Sequence, residues 1–321
     1  MSGNGFYSRL APFYRDYSRT KHQYLASVDK IVLSNLRGKT MLDVGAGDGI
    51  RARAIADRAG IEFLVLAEPN SEMFELCEKT EAADTINTTA QDLDIDYKFD
   101  VITCLWNVLG HIENQQLRIE SLKRMAGNLT PDGRIFLDVN NRYNRAAYGF
   151  KNILKNISKD ILSASETNGD FSFHIKINGE DIAASGHIFN PKEIRTLIEK
   201  AGLQIVNQYY INYTNGSIGK TFLDGQLLFE LKKRETYQSK YVETKKKRGG
   251  IMARNLLVVL LFAAVLCLVG CKKAPDSGQA DSVTTMAEFQ AKAKETINKQ
   301  NLEDELEKLE KEIQRDIKAE K

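Results

Sequence analysis

Residues 41–50 read Met41-Leu42-Asp43-Val44-Gly45-Ala46-Gly47-Asp48-Gly49-Ile50, and the fold prediction starts from this stretch. Residues 41–44 are mostly apolar and predict a short buried strand. Residues 51–59 carry small and apolar side chains at helical spacing, and Gly60 predicts the end of that helix. A strand that passes through glycines into a helix is typical of a parallel α/β sheet.

The glycines between this strand and this helix predict a ligand site. Glycine lets the backbone turn tightly and approach a ligand at the positive end of the following helix. The spacing Gly45-x-Gly47-x-Gly49 departs from the dinucleotide fingerprint, because Ile50 stands where the third glycine is needed. Asp43 would also repel a pyrophosphate, so the loop favours a ligand with ammonium or sulfonium charge and disfavours a nicotinamide dehydrogenase.

Strands and helices continue to alternate up to residue 139. We predict strands over 63–67, 86–89, 101–105 and 135–139, with a helix over 117–129 and a turn at Pro131-Asp132-Gly133. This alternation predicts a doubly wound, mostly parallel sheet. Ligands bind such a sheet at the carboxyl ends of its strands.

The pattern changes after residue 170. Residues 171–177 alternate apolar with polar side chains and predict a strand, and Asn178-Gly179 predicts a tight turn. Residues 182–189 predict a second strand that runs back along the first, so we expect a β-hairpin insertion. Asn190-Pro191 predicts the start of a helix and Gly202 its end. Residues 203–210 and 226–231 predict two closing strands.

Acidic residues stand at two of the predicted strand ends. Glu68 follows the second strand about twenty residues after the glycine loop, where a carboxylate accepts hydrogen bonds from ribose hydroxyls. Asp92 follows the third strand, at the same edge of the sheet. For Glu68 taken alone, a solvated carboxylate at a strand end is the alternative interpretation.

Over residues 1–235 the chain resembles the class I S-adenosylmethionine-dependent methyltransferases. The motifs that carry the resemblance are the segment Asp43–Gly49, Glu68, Asp92, the fourth-strand run 99–104 and the turn 129–134. The resemblance implies an enzyme with a seven-stranded sheet whose last strand is antiparallel, and S-adenosylmethionine as the cofactor. We therefore expect residues 41–235 to form the cofactor-binding domain, behind an N-terminal helical lid formed by residues 1–40.

The resemblance also implies roles for individual residues. Glu68 would bind the ribose, and Asp92 would contact the adenine amino group beside the backbone of Leu93. The implied cofactor-binding residues are Tyr14, Asp43, Gly45, Ala46, Gly47, Gly49, Glu68, Pro69, Asp92, Leu93 and Asn107. His111 follows the fourth strand and is the candidate general base, with a packed structural histidine as the alternative.

Aromatic side chains flank the predicted sheet. One group precedes the first strand, where family members fold a segment over the cofactor: Phe6, Tyr7, Phe13, Tyr14 and Tyr17. A second group consists of candidates for an acceptor pocket: Tyr143, Tyr148, Tyr209, Tyr210 and Tyr213. The hairpin over 171–189 lies where the family inserts substrate-recognition elements.

Composition narrows the choice of acceptor. The 321 residues include 45 Lys and Arg against 43 Asp and Glu, a net charge of +2, which argues against a dedicated nucleic-acid binder. Four cysteines without a Cys-x-x-Cys pair predict neither a metal site nor a disulfide framework.

We expect methyl transfer to a small molecule by in-line displacement, with a protein or nucleic-acid methyltransferase as the alternative. Residues 105–108 lack the Asn/Asp-Pro-Pro-aromatic motif of base methylation.

The chain changes character near residue 245. A basic linker, 236–251, precedes a lipoprotein-like signal or anchor over 252–271, in which a basic start leads into a short apolar run. This run ends in Leu268-Val269-Gly270-Cys271, which resembles the lipobox whose cysteine is lipidated. The apolar run is shorter than the roughly 20 residues of a comfortable membrane span.

Residues 272–321 predict a polar linker and then an amphipathic helix that self-associates. A signal that begins at the internal Met252 suggests a fusion or read-through of two coding units. We expect a cytoplasmic methyltransferase domain, anchored to the inner membrane through 252–271 if the signal is not cleaved. The alternative of another class is an envelope lipoprotein whose function resides in the tail.

Overall fold

The computed structural model describes residues 3–177 and 179–234 of the chain. The predictions for the linker, the signal, Cys271 and the C-terminal helix lie outside the described residues. Within them, none of the helices has the length and apolar character needed to cross a membrane. The helices are α1 (Gly3–Leu10), α2 (Tyr14–Arg19), α3 (His22–Asn35), α4 (Ile50–Ala59), α5 (Ser71–Cys77), α6 (Gln115–Gly127), α7 (Arg145–Tyr148), α8 (Phe150–Leu162) and α9 (Pro191–Lys200).

The strands form one large sheet and one separate hairpin. They are β1 (Thr40–Val44), β2 (Phe63–Ala67), β3 (Asp84–Ile86), β4 (Phe99–Cys104), β5 (Leu129–Val139), β6 (Asp170–Ile177), β7 (Glu180–His187), β8 (Leu203–Ile211), β9 (Ile218–Gly219) and β10 (Gln226–Lys233). The large sheet has the order β3-β2-β1-β4-β5-β10-β8-β9, and β6 pairs with β7. The strands from β3 to β5 are parallel, whereas β10 runs antiparallel to both β5 and β8.

The predicted α/β class and mostly parallel sheet are confirmed, and the strand count is corrected. Seven strands were expected within this part of the chain, and the sheet has eight. The additional strand, β9, is two residues long and pairs with the end of β8. The last strand of the sheet, which was expected to be antiparallel, is β10, and it lies between β5 and β8.

Several predicted boundaries are wrong, and three of the differences have a visible cause or consequence. The third strand occupies Asp84–Ile86 rather than 86–89, because the Asn87 amide donates to the Glu68 carbonyl at 2.9 Å and the chain leaves the ladder there. The helix predicted over 117–129 begins two residues earlier, where the Asn114 side chain accepts from the Leu117 N–H, and Leu129 already belongs to β5. The turn predicted at Pro131 lies within the long strand β5, whose register against β4 shifts.

Two hydrophobic clusters pack against the sheet, one on each face. Successive strand residues point to opposite faces, so Leu42 and Val44 belong to one cluster and Met41 to the other. The first cluster includes side chains of α6 and α9, and the second includes side chains of α3 and α4. Cys77 and Cys104 are free and buried in these clusters, where they pack as small apolar side chains.

The hairpin β6–β7 packs against the N-terminal helix rather than against the large sheet. Phe6 and Leu10 of α1 form a buried cluster with Ile182 and Ala184 of β7. The Arg9 side chain also donates to the Asp181 carbonyl at 3.0 Å. The first helix and the inserted hairpin therefore hold each other in place.

A buried arginine ties α8, α9 and the end of the hairpin to the segment after β5. Arg142 is 3% exposed and donates to Asp160 at 2.8 and 2.9 Å, to Glu193 at 3.0 Å and to the Ile188 carbonyl at 3.0 Å. A buried charge is tolerated only when it is paired and hydrogen-bonded. Arg142 is therefore a structural centre of the inserted region.

We expect Arg142→Met to destabilise the protein by about 3–5 kcal/mol, because Asp160 and Glu193 would then lose their buried cation. Urea denaturation followed by circular dichroism measures this change. The matched control is Arg124→Met, which removes a pair with Glu120 across one turn of α6; Arg124 is 46% exposed there. We expect less than about 1 kcal/mol for the control, and equal losses in both variants would contradict the prediction.

Candidate functional site

The glycine loop adopts the left-handed conformation at each of its three glycines. The φ angles are +74° at Gly45, +62° at Gly47 and +73° at Gly49. Residues that carry a side chain rarely adopt these backbone angles, which explains why the sequence has glycine at these positions. The loop is held to the neighbouring strand because the N–H groups of Gly45 and Ala46 both donate to the Ala67 carbonyl, at 2.8 and 3.0 Å.

Glu68 binds the glycine loop from the end of β2. Its carboxylate accepts from the N–H of Gly47 at 2.8 Å and from the N–H of Asn70 at 2.9 Å, and the residue is 5% exposed. Burial raises the pKa of Glu68 to about 7, although the two backbone hydrogen bonds oppose that rise. The carboxyl group therefore titrates near neutral pH.

Asp43 is the second buried carboxylate of the loop. It lies at the end of β1 and accepts a hydrogen bond from the Thr103 hydroxyl at 2.5 Å. Burial raises the pKa of Asp43 to about 6, whereas the bond to Thr103 and the nearby Arg51 lower it. The Arg51 side chain itself donates to Asp29 of α3 at 2.8 Å.

Two cavities meet at the carboxyl ends of the parallel strands. The large cavity has a volume of about 860 Å³ and runs along the glycine loop, the ends of β2 and β3, the segment after β4 and the base of the hairpin. The second cavity, of about 520 Å³, lies between the glycine loop, α2, α3 and α4. Both cavities are lined by Tyr14, Gly45, Leu105 and Trp106.

Aromatic side chains of the N-terminal helices cover this junction. The Tyr14 and Tyr17 rings lie 5.9 and 5.5 Å from the Trp106 ring. A Cβ atom at Gly47 would lie 2.8 Å from the Tyr14 hydroxyl, so the tyrosine lies directly over the loop. Tyr7 lines the large cavity as well. The N-terminal helices thus contribute Tyr7 and Tyr14 to the cavity walls, and their role as a lid over the cofactor stays a prediction.

His111 lies in the large cavity, in a 3-10 helix over Val108–His111. The Tyr7 ring packs edge-on against its imidazole at 5.3 Å. Its Nδ1 atom is buried and has no hydrogen-bond partner among the described residues. The ring forms a hydrogen bond with the backbone of Ser185. Burial lowers the pKa of His111 to about 4, against the effect of that bond, so the ring is neutral at pH 7.

The residues immediately before this helix have unusual backbone angles. Trp106 and Asn107 both have positive φ, +66° and +63°. The Asn107 side chain stabilises this turn, because it accepts from the Asn140 N–H at 2.9 Å and donates to the His187 carbonyl at 3.3 Å. Asn107 therefore joins the segment after β4 to β5 and to the hairpin.

The structure places the predicted site residues in different surroundings. The large cavity is lined by Tyr14, Gly45, Gly47, Glu68, Pro69 and His111. The second cavity is lined by Tyr14, Asp43, Gly45 and Ala46. Their predicted roles toward a cofactor stay predictions.

Four predicted cofactor residues line neither of these cavities. Gly49 precedes α4 and packs against Thr80, and Leu93 is buried in the core. Asp92 is exposed and accepts from the Thr89 hydroxyl at 2.5 Å, while Asn107 lines a small aromatic pocket of about 50 Å³.

The proposed acceptor tyrosines are dispersed. Tyr213 lines the small aromatic pocket, and Tyr143 is buried elsewhere, where its hydroxyl donates to Asp160 at 2.7 Å. In contrast, the large cavity contains Asn70 and Arg118, which sequence reasoning missed. Arg118 follows the polar pattern of an exposed helix face, so no local signal distinguished it.

Comparison with known proteins gives one family. A family model described as a methyltransferase domain matches residues 15–208. The cypemycin N-terminal methyltransferase of a Streptomyces species is 31% identical over 32% of this chain and 42% of that protein. The ubiquinone biosynthesis O-methyltransferase of Pseudomonas paraeruginosa is 34% identical over 36% of this chain and 50% of that protein. The chain thus spans half or less of these two relatives.

Solved structures share the fold. A S-adenosylmethionine-dependent methyltransferase from Clostridium acetobutylicum has a TM-score of 0.52 at 15% identity, covering 71% of this chain and 99% of that one. A possible histamine N-methyltransferase from Thermotoga maritima has a TM-score of 0.50 at 14% identity, covering 72% and 98%. At these identities the likeness concerns the fold.

The residues of the site fit S-adenosylmethionine, the cofactor implied by the resemblance. Gly45 and Gly47 leave the loop without side chains where it borders both cavities. Glu68 offers a buried carboxylate to ribose hydroxyls, and Ala90 and Val108 offer apolar contact to a base. Asp43 supplies negative charge in the second cavity, which suits a cationic ligand.

We expect cofactor affinity to depend on the protonation of Glu68. The pKa of about 7 means that the carboxyl is protonated in the free protein at pH 6, and only the ionised form accepts two hydroxyl hydrogen bonds. Affinity should therefore rise with pH through about 7 and level off above it. Glu68→Gln should bind about ten- to hundredfold more weakly at pH 8 and lose the part of the pH dependence that lies near pH 7, while the part due to Asp43 near pH 6 remains.

Isothermal titration calorimetry at pH 6, 7 and 8 measures these affinities. The amino group of the ligand titrates equally in both experiments, so its effect cancels when the affinities of wild type and Glu68→Gln are compared at each pH. The matched control is Glu62→Gln, because Glu62 precedes the opposite end of the same strand, pairs with Lys39 at 3.0 Å and is 71% exposed. Equal affinity and pH slope in wild type and Glu68→Gln would remove Glu68 from cofactor binding.

Proposed function

We propose, from the premise that this chain belongs to the methyltransferase domain family, that it transfers a methyl group to a small molecule bound in the large cavity. The chain is an enzyme, and S-adenosylmethionine is its cofactor. The small-molecule acceptor and the in-line displacement are the new elements of the proposal.

The observation that carries the proposal is the continuity of the large cavity. It extends from Gly47 and Glu68 at the strand ends to His111 and Phe171 beside the hairpin. A volume of about 860 Å³ falls in the range of small-molecule sites, about 300–1,000 Å³. One space therefore adjoins both the predicted ribose site and a separate group of polar side chains on which an acceptor can bind.

The chain's own residues would hold and align the reactants. Glu68 and Pro69 would bind the ribose side, and Tyr14 covers the junction between the two cavities. When bound, S-adenosylmethionine supplies a methyl group made electrophilic by its sulfonium. Proximity and orientation provide much of the rate in such a displacement, so the packed walls at Leu105 and Trp106 matter more than strong acid–base groups.

His111 is suited to accept a weakly held proton. His111 lines the large cavity, its Nδ1 is buried and lacks a hydrogen-bond partner among the described residues, and the imidazole is neutral at physiological pH because burial lowers its pKa to about 4. A neutral ring can accept a hydrogen bond from the acceptor's hydroxyl or amine at Nδ1. The low pKa makes it a poor base, so we propose that it orients the acceptor and receives the proton late in the transfer.

Larger acceptors have less support. A concave cavity of about 860 Å³ with Tyr7 and Tyr14 in its wall suits a free small molecule better than a folded protein or a duplex. A peptide amino terminus is the second candidate, because one relative is a cypemycin N-terminal methyltransferase. A peptide end of this kind would enter the same cavity.

We test the proposal with methyl-tritiated S-adenosylmethionine and a fractionated bacterial metabolite extract, with and without small peptides. We expect label in small molecules, and His111→Asn should lower turnover by about tenfold, the effect of one lost orienting hydrogen bond, with unchanged cofactor affinity. The loss should be uniform from pH 5.5 to 8, because a group with a pKa of about 4 does not titrate there.

The matched control is His174→Asn on the hairpin, where the histidine is 65% exposed and pairs with Asp181. Wild-type turnover in His111→Asn would exclude His111 from the reaction. Label found only in peptides or in macromolecules would contradict a small-molecule acceptor.

A further inference from the structure

Arg118 is a buried cation in the wall of the large cavity. It lies on α6, is 3% exposed and lines the cavity together with Asp170 and Phe171 of the hairpin. Its Nε atom donates to the Ile112 carbonyl at 3.0 Å, and its guanidinium lies 5.5 Å from the Phe189 ring. Within residues 3–177 and 179–234, its terminal nitrogens form no hydrogen bond and no ion pair.

The charges of three carboxylates act on Arg118: those of Glu193, of Asp170 and of the exposed Glu166. The first two carboxylates are engaged elsewhere. Glu193 accepts from Arg142 at 3.0 Å and lies 2.7 Å from the His187 ring, and Asp170 lies 2.7 Å from the other nitrogen of that ring. Arginine remains charged in proteins, and a buried charge without a paired anion is unfavourable. The burial of Arg118 lowers its pKa, in keeping with this unfavourable position. An anion in the cavity would relieve it.

We propose that Arg118 binds a carboxylate group of the methyl acceptor, an inference that rests on the proposed function. A guanidinium presents parallel N–H donors that match the two oxygens of a planar carboxylate. Among the lining residues of the large cavity, Arg118 is the one lysine or arginine within the described part of the chain. The acceptor would then be a hydroxy- or amino-carboxylic acid whose carboxylate lies away from the atom that is methylated.

The surrounding charges favour a carboxylate over a phosphate. Glu113 and Asp170 line the same cavity and would repel a dianion more strongly than a monoanion. One guanidinium neutralises one carboxylate, whereas a phosphate would leave excess negative charge. The acidic neighbours thus restrict the anion that Arg118 can hold.

The cofactor has a carboxylate of its own, which could in principle bind Arg118 instead of the acceptor. The residues of the second cavity argue against this. That cavity is lined by Asp43 and by three arginines, Arg15, Arg19 and Arg51. These arginines pair with Asp48, Asp16 and Asp29, and the pairs of Arg15 and Arg19 involve exposed arginines and are weak enough for another carboxylate to compete. A cofactor whose ribose binds Glu68 and whose sulfonium faces Asp43 therefore has cations for its carboxylate on that side. Arg118 lies instead with the hairpin residues Asp170 and Phe171, on the acceptor side.

The direct test measures binding of small anions to the full-length protein saturated with S-adenosylhomocysteine. The probes are acetate, benzoate and 3-phenylpropionate, each compared by calorimetry with its neutral amide. We expect at least one carboxylate to bind about tenfold or more tightly than its amide. If every carboxylate binds no better than its amide, the proposal is overturned, whether or not the protein methylates anything.

Substitutions of Arg118 test whether this residue causes the preference for carboxylates over amides. Arg118→Met should abolish the carboxylate preference, and Arg118→Lys should retain part of it, while affinity for S-adenosylmethionine stays within about twofold. The matched control is Arg124→Met, an exposed arginine on the same helix. A preference that survives in a folded Arg118→Met protein, or a cofactor affinity that falls with it, would place the anion elsewhere.

The labelled products of the methyl-transfer assay give a separate readout. Labelled products that contain a carboxyl group, identified by mass spectrometry, support the proposal, and products without a carboxyl group overturn it. The absence of any labelled product, together with a preserved carboxylate preference, would contradict the proposed function while supporting the anion site. The two failures are therefore distinguishable.

Discussion

Three carboxylates buried at strand ends constrain the structure around the site. Asp43, Glu68 and Asp138 end strands β1, β2 and β5 or directly follow them, and they are 9%, 5% and 1% exposed. A buried carboxylate must be hydrogen-bonded, because its desolvation is otherwise costly by several kcal/mol. Each therefore fixes the segment that supplies its donors, and those segments form the walls of the two cavities.

Asp138 shows how this requirement assembles separate parts of the chain. It accepts from the Tyr24 hydroxyl of α3 at 2.5 Å and from the Trp106 N–H at 2.9 Å. Burial raises the pKa of Asp138, and the bond from Tyr24 opposes that rise. The same carboxylate thus holds an N-terminal helix and the positive-φ turn after β4, which brings Trp106 to the junction of the cavities.

The sequence was informative where local chemistry dictates structure. A glycine at positive φ, an acid after an apolar strand and an Asn-Pro helix start each act through neighbouring residues, so the loop, Glu68 and α9 could be predicted. Asn107 and Arg118 act through residues distant in the chain, His187 for one and Phe189 for the other. Their environment exists only after the hairpin packs against the segments that follow β4. A single sequence therefore does not separate them from ordinary polar residues.

This difference divides the site into two parts with different origins. The wall formed by Gly45, Gly47 and Glu68 belongs to the parallel sheet, whose geometry is shared with solved methyltransferases of low sequence identity. The other wall combines α6 with the hairpin, which is held by α1 and by the Arg142 network rather than by the sheet. Changes in the hairpin can alter that wall without moving the three strand-end carboxylates. The two walls of the large cavity thus depend on different contacts, and Asn107, which donates to the His187 carbonyl, connects them.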